Sequence, residues 1–479
     1  MKSLISSGHP VVTNTAAEIL EQGGNAFDAI IAAGFSSCLA EPTLTSLGGG
    51  GFLLAKPKNK EERVFDFFVD MPGLGLVENK DLHFMEIEVV FSDSTQIFHA
   101  GLGSAAVPGN LKGFLKVHSD LGILPIEDIV APAIRQARAG IAVSPFQRHV
   151  MDLLEPILLS SPASKELFSP RGQLLKVGEL YKNPDYAYFL EDIIENSQSF
   201  YHGKIAQNIA NAMQNNDGLI TTQDLENFKV NKQKPIKSKF REYSFLSCPK
   251  PSMGGELIAK FLQEYSQGNN DFDFASQQHL LKLIENMAKV ENIRNTATKG
   301  TTHISVADSF GNIASMTTSN GEGSGYIVEG TGIMLNNMLG EDDLFPDGFH
   351  SIAAGKRINS MMSPSLIEDK NGQPLVVLGS GGSKRIRSAI AQVIINLLDF
   401  DLTLEEAIKA PRLHYDDDLV QLEPELIKPK TKTLGKFKLN HWSDKNLYFG
   451  GVHAIKLPNE AVADKRRDGS ALTAKYKNQ

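Results

Sequence analysis

The sequence predicts an α+β fold, a mixture of helices and antiparallel hairpins. Three observations carry this prediction. A pair of helical segments leads through four consecutive glycines, Gly48–Gly51, into apolar strand-like runs. Residues 302–319 form two alternating β-branched runs around a glycine-containing turn, the pattern of a hairpin. Strands and helices do not alternate as βαβ units would require, and no repeat or low-complexity tract is present.

Taken in order, Ala16, Ala17, Ile19 and Leu20 share one helical face, and Gly23-Gly24 stops that helix. Asn25 opens a second helix through Ala26, Ala29, Ile30 and Ala33, which ends before Glu41-Pro42; its small residues imply close packing on a sheet. Phe52–Ala55 and Val64–Val69 read as strands. Residues 105–150 read as helical, with a turn at Val107-Pro108-Gly109, Asn110 as N-cap, and Ile126–Ala139 at helical spacing. Residues 150–245 alternate helical and loop segments. Pro251–Gly255 turns into a helix through Phe261, and a further helix covers 276–294. Beyond the polar linker Asn295–Gly300 come strands over Thr302–Ala307 and Ile313–Ser319, then a strand candidate over Ile327–Leu335. Pro374–Leu378 is a strand that runs into Gly379-Ser380-Gly381-Gly382 and a long helix to Phe400; Thr403-Leu404-Glu405-Glu406 is a capping box for the helix after it.

The 479 residues are 41% hydrophobic and 22% charged, which excludes wholesale disorder. A net charge of −8 gives no general attraction for nucleic acid. Cys38 and Cys248 allow one disulfide but no framework, and read as small buried hydrophobes. The opening MKSLISSGHP does not read as a signal peptide, and the apolar run Ile30–Ala40 is too short to span a bilayer. The expectation is a cytoplasmic protein without a membrane or nucleic-acid partner. No phosphate-binding Gly-x-x-x-x-Gly-Lys occurs, and Gly321–Gly325 precedes a strand-like Tyr326–Val328 where a dinucleotide site needs a helix. No His-Glu-x-x-His occurs among the 12 histidines, and Asp416-Asp417-Asp418 beside His414 reads as a solvated acidic turn rather than a cation site. No Gly-x-Ser-x-Gly elbow exists.

One constellation remains. Gly300-Thr301-Thr302-His303 sits where the linker becomes a strand. A threonine hydroxyl is a poor nucleophile without a base, but its own α-amine can serve once the chain is cut before it. An α-amine titrates near pH ~8, a suitable range for taking a hydroxyl proton. Such a site needs N–H donors for the oxyanion, and Gly381-Gly382 at a strand-to-helix junction offers them. The competing reading is an ordinary strand start. His303 shares a strand face with Thr301, yet the free amine already fills the base role, so His303 reads as a structural hydrogen-bonder.

The chain resembles the gamma-glutamyltranspeptidase family almost end to end. The resemblance is carried by Ser7-Gly8-His9-Pro10, Ala17–Ala29, Glu41-Pro42 and the tetraglycine, then Val107-Pro108-Gly109, Leu124-Pro125 and Ala131–Ile134. It continues through Thr301–Val306 with Asp308 and Gly311-Asn312, Gly332–Asn337, Ser360–Pro364, Gly379–Ser383, Ala407 and Ala410-Pro411-Arg412. The resemblance implies an N-terminal-nucleophile hydrolase fold, two packed antiparallel sheets between helical layers. It implies a precursor that cuts itself between Gly300 and Thr301 into a large subunit, 1–300, and a small one, 301–479, which together form one composite fold. Thr301 would attack a γ-glutamyl amide, hold an acyl-enzyme, and pass the acyl group to water or an amine. Gly381 and Gly382 would donate to the oxyanion, with Ser319 and Asn320 supporting the nucleophile. No metal or cofactor is implied. The partners implied are a small-molecule substrate and the two cleaved subunits, with a homo-oligomer as a further option.

Several positions depart from the family pattern. Its Asp-x-Arg-Glu becomes Asp66-Phe67-Phe68-Val69, so Phe68 replaces the arginine that holds the substrate's α-carboxylate, and a bidentate clamp is lost. The supporting threonine, 18 residues downstream of the nucleophile, is Ser319. The paired serines become Ser360-Met361, and an acidic contact to the α-amine would fall to Asp342 or Asp343. Lys384, Arg385 and Arg387 could supply a replacement charge, or be solvated first-turn residues. These changes cluster on head-group recognition and leave the acyl-transfer machinery intact. By the resemblance, glutathione-type γ-glutamyl amides are the first expectation, while the departures point to a shifted specificity. An acylase acting on a glutaryl- or cephalosporin-type amide is the second, and an unprocessed binding protein the third.

Overall fold

A computed structural model describes residues 2–76, 84–91, 94–268, 270–291, 300–341, 345, 351–416, 418–426 and 437–474, without the side chains of 89–91, 94–96 and 291. Two antiparallel sheets face one another. The first has seven strands in the spatial order Ser470–Ala474, Ser3–Ser7, Thr302–Ala307, Ile313–Ser319, Gly50–Lys56, Arg63–Phe67 and Asn231–Gln233. The second has six, in the order Glu460–Ala463, Gly451–Lys456, Pro374–Gly381, Ser365–Glu368, Tyr243–Ser247 and Ile236–Phe240. Helices Pro10–Glu21 and Ala26–Ala40 cover the outer face of the first sheet, and Gly254–Tyr265 and Arg385–Leu398 cover that of the second. The result is the four-layer N-terminal-nucleophile hydrolase architecture.

Strands Thr302–Ala307 and Ile313–Ser319 are buried along their whole length because one face meets helices and the other meets the second sheet. The helix Ala26–Ala40 is likewise buried at every position, which its Ala, Gly and Ser content permits. Asn25 closes its N-terminus with a reciprocal capping box to Asp28, and Thr403 does the same with Glu406 for Leu404–Lys409. Strands from both sides of residue 300 interleave in the first sheet and adjoin as two blocks in the second, so neither 1–300 nor 301–479 completes a sheet alone.

Several expectations need correction. The strand candidate Ile327–Leu335 is two short paired strands, Ile327–Val328 and Ile333–Met334, since the glycines between them make a turn. Asn110 is the first helical residue; Gly109 is the N-cap and gives no side-chain hydrogen bond. Residues 150–245 hold more than helices and loops: 231–233 and 236–240 supply one edge strand to each sheet. Both edges are rich in lysine, a composition that hides a strand from a hydrophobic pattern and blunts edge pairing. Cys38 and Cys248 are buried free thiols. Among the described residues no helix is long and apolar enough to cross a membrane.

Candidate active site

Thr301 immediately precedes a central strand of the first sheet. Thr302 pairs with Thr318, which sets Thr301 opposite Ser319 at the end of the neighbouring strand. The Ser319 hydroxyl donates to the Gly300 carbonyl and accepts from the Gly321 N–H at 3.1 Å. The carbonyl of the Gly300–Thr301 bond is thus held by a hydroxyl that is itself oriented. Gly300 has to be a glycine: an added Cβ would collide with the Gly321 carbonyl oxygen.

Thr301 is completely buried, and its Oγ1 has no hydrogen-bond partner among the described residues. An unpaired buried hydroxyl carries a desolvation cost, which structures tolerate mainly where the group has other work. The Thr301 carbonyl accepts from Arg467 Nη1 at 3.2 Å. Gly381, at the end of a strand of the second sheet, approaches the same carbonyl so closely that a Cβ there would strike its oxygen. Gly382 follows with φ of +123° and Ser383 with φ of +60°. The two sheets therefore meet at Thr301, with the Gly381-Gly382 backbone beside it.

Asn320, buried, donates its N–H to the Leu44 carbonyl at 3.2 Å, while its Oδ1 has no partner among the described residues. Ser360 is buried at a bridge to Ser252 and accepts from the Met362 N–H at 3.1 Å; no described hydrogen bond joins it to the Thr301 cluster. Asp342 and Asp343 lie outside the described residues. His303 Nδ1 meets Thr317 Oγ1 at 2.8 Å and Nε2 meets Ser305 Oγ at 2.9 Å. Burial holds its pKa well below the ordinary value, with His453 acting in the same direction, so it is a neutral hydrogen-bonder between the sheets.

Phe68, at the place of the family arginine, is fully buried and stacked on Phe52 with ring centroids 5.8 Å apart. A guanidinium does reach this region from another loop. Arg357 binds Asp66 at 3.2 Å and Asp70 at 3.0 Å, donates to the Phe68 and Lys229 carbonyls, and covers the Phe228 ring. Internal partners absorb its donors.

Arg385 and Arg387 are not solvated first-turn residues: both are at least 90% buried, and Lys384 pairs with Asp416 at 3.4 Å. Arg385 lines a cleft with Gly300, Glu322 and Arg467 whose walls are Leu44, Phe98, Phe146, Val150, Leu153 and Leu154. The acidic turn is solvated in part, as expected: Asp418 is exposed and Asp416 half-buried. Asp416 is taken by Lys384, and Asp418 accepts from Tyr415; Asp417 lies outside the described residues. Among the described residues no group of three or more His, Cys, Asp or Glu is placed to hold a metal ion.

Two residues in this neighbourhood had no assigned role in the sequence. Glu41 accepts from the Thr302 hydroxyl at 2.9 Å. Burial pushes its carboxyl up to about 8; Thr302 and Arg467 pull it down, while Asp468 adds to the rise. The folded state then keeps a proton that an unfolded carboxyl releases near pH ~4.3. Stability is fully present below that value and is lost as pH rises toward about 8. Glu41→Gln keeps an acceptor for Thr302 and is expected to flatten this decline. Urea midpoints from about pH 4 to about pH 9 measure it, and an unchanged slope assigns the decline to another group.

Arg467 is the second such residue. It belongs to Asp464-Lys465-Arg466-Arg467-Asp468-Gly469, a charge run that by composition reads as solvated. Tertiary ion pairs bury it: Arg412 binds Asp464 at 2.7 Å, and Arg466 binds Glu423 and Asp464. Burial alone would raise Asp464, but Arg412 and Arg466 overcome it and hold the carboxyl at about 2. This clasp fixes the turn that presents Arg467 to Thr301.

Comparisons with known proteins show the family and the fold. The acylase ACY 1 proenzyme of Pseudomonas sp. strain V22 is 29% identical, over 88% of this chain and 84% of its own length. The glutathione hydrolase proenzyme of Escherichia coli strain K12 is also 29% identical, over 86% of this chain and 81% of its own. The cephalosporin acylase of Bacillus halodurans has the same fold, with a TM-score of 0.83 at 23% identity over 98% of this chain and 95% of that one. The family model described as Gamma-glutamyltranspeptidase matches residues 12–298 and 289–474. Its span takes in every strand of the two sheets except Ser3–Ser7, and the Thr301 junction where the sheets meet, and on that match the chain belongs to the gamma-glutamyltranspeptidase family.

Proposed function

We propose that this protein is an acyl-amide hydrolase and acyl transferase with Thr301 as nucleophile, formed when it cuts its own Gly300–Thr301 bond. The observation that carries this reading is the buried, unpartnered Thr301 hydroxyl beside a carbonyl already held by Ser319. In the uncut chain Thr301 Oγ1 attacks the Gly300 carbonyl carbon, and Ser319 stabilises the developing oxyanion. The C–N bond breaks, the nitrogen takes the hydroxyl proton, and an ester joins Gly300 to Thr301. Water hydrolyses the ester and leaves Thr301 with a free amine.

In turnover that amine takes the proton from Oγ1 as the hydroxyl attacks the substrate amide. The Gly381 and Gly382 N–H groups receive the oxyanion, the amine leaves with the proton, and water or a second amine accepts the acyl group. The Arg467 charge beside Thr301 disfavours an ammonium there and so favours the basic form. Ser319→Ala is expected to slow self-cleavage about 10²- to 10³-fold, as loss of one oxyanion donor does elsewhere, and Ser319→Thr to restore it. Band ratios on a denaturing gel over time check this.

For the acyl group, the buried Phe68 and the internally satisfied Arg357 favour an acylase of the glutaryl type over the γ-glutamyl head group. Release of p-nitroaniline from glutaryl and γ-glutamyl anilides, with mass analysis for an acyl adduct on Thr301, tests the reading. Release from the glutaryl anilide with an adduct supports the acylase form, and release only from the γ-glutamyl anilide supports the other. No release from either, with no adduct, sinks both.

A further inference from the structure

Arg385 and Arg467 stand in the same cleft beside Gly300, and both are at least 95% buried. Neither makes an ion pair with a described residue. Arg385 gives Nε to the Tyr448 carbonyl at 2.9 Å and stacks on the Tyr448 ring at 4.3 Å. Arg467 gives Nη1 to Thr301 and Nη2 to the Leu447 carbonyl at 3.2 Å, and its buried Nε has no hydrogen-bond partner among the described residues. The nearby carboxylates have other partners, although Glu322 itself lines the same cleft. Asp464 is taken by Arg412 and Arg466, Glu41 accepts from Thr302, and Glu322 accepts from Asn337. Burial, then repulsion from Arg385, pulls the Arg467 guanidinium down to about 10. Two buried like charges without an ion pair are costly unless a counter-anion joins them.

The cleft lies on the acyl side of the scissile bond. In self-cleavage the acyl group esterified to Thr301 is Gly300, which lines this cleft, and a substrate's acyl group takes that place in turnover. We infer that Arg385 and Arg467 form a carboxylate-binding pole of the acyl cleft, so that the preferred substrates are amides of short dicarboxylic acids whose methylene chain runs along the apolar wall. This rests on the nucleophile reading above and names the residues and substrate class that complete it. It also supplies a cation in place of the family arginine lost at Phe68, from a different part of the fold.

The experiment compares glutaryl and butyryl p-nitroanilides, which differ in the terminal carboxylate, on self-cleaved wild type, Arg385→Gln and Arg385→Lys. Wild type is expected to favour the glutaryl anilide in kcat/KM. In Arg385→Gln the glutaryl-to-butyryl ratio should fall roughly 10- to 100-fold, as for one charge-assisted hydrogen bond, and Arg385→Lys should recover part of it. Free glutarate should compete with the anilide in wild type and pentanamide should not, a readout that needs no variant to fold. A wild type without glutaryl preference, or a ratio that stays constant while both rates fall in Arg385→Gln, overturns the inference. Butyryl turnover with a cut at residue 301 but no glutaryl preference rejects this pole alone; absence of both cut and turnover rejects the nucleophile reading with it.

Discussion

Thr301→Ala is expected to remain a single polypeptide and to lose at least about 10⁴-fold in anilide turnover, the scale seen when a catalytic nucleophile is removed. Both losses have one cause. In the proposed mechanism the hydroxyl that attacks the Gly300 carbonyl is the one that later attacks substrate, and alanine supplies neither. Because Thr301 Oγ1 makes no hydrogen bond among the described residues, its removal leaves no polar group stranded, and the fold should keep its thermal midpoint within a few degrees. Thr301→Ser keeps a hydroxyl and an α-amine and should be cut, though more slowly. A denaturing gel, p-nitroaniline release and a thermal melt separate these outcomes. A Thr301→Ala protein that still divides, or still turns over, removes Thr301 from the role assigned to it.

Gly381→Ala is the second large effect. The new Cβ would collide with the Thr301 carbonyl oxygen, a backbone atom with no rotamer to yield, and would lie 3.1 Å from Arg467 Nη1. Either the strand Pro374–Gly381 or the start of Thr302–Ala307 has to move, and the N–H donors move with it. We expect kcat to fall about 10²- to 10³-fold and stability to drop by about 1–3 kcal/mol. The kcat loss exceeds what the stability loss explains, because the protein stays folded at assay temperature. If kcat stays within about threefold of wild type, the oxyanion is not received there.

Much of this site was legible in the sequence because its parts are local. The capping box at Thr403 is a four-residue pattern, and the hairpin 302–319 is fixed by alternation around one turn. The glycines at 381 and 382 mark a strand-to-helix junction. The assignment of His303 as a structural group follows the same logic: on a strand buried on both faces, a histidine is held neutral by neighbours rather than freed for proton transfer.

What was not legible depends on distant segments. Arg467 reaches Thr301 only because Ser470–Ala474 pairs with Ser3–Ser7, which in turn pairs with Thr302–Ala307. No window of sequence contains that relation. A run with three basic residues in four, Lys465-Arg466-Arg467 with Asp464, has a solvated composition, and only the ion pairs to Arg412 and Glu423 make it a buried clasp. Phe68 showed that a family contact was lost, but not that Arg357 fills the region with its donors consumed, nor that Arg385 faces the cleft from another element.

The proposed self-cleavage is tested most directly by end-group sequencing and intact-mass analysis of purified protein with measured anilide activity. Two polypeptides are expected, one ending at Gly300 and one beginning Thr301-Thr302-His303. Fully active material made of one unbroken chain through residues 300 and 301 would contradict it.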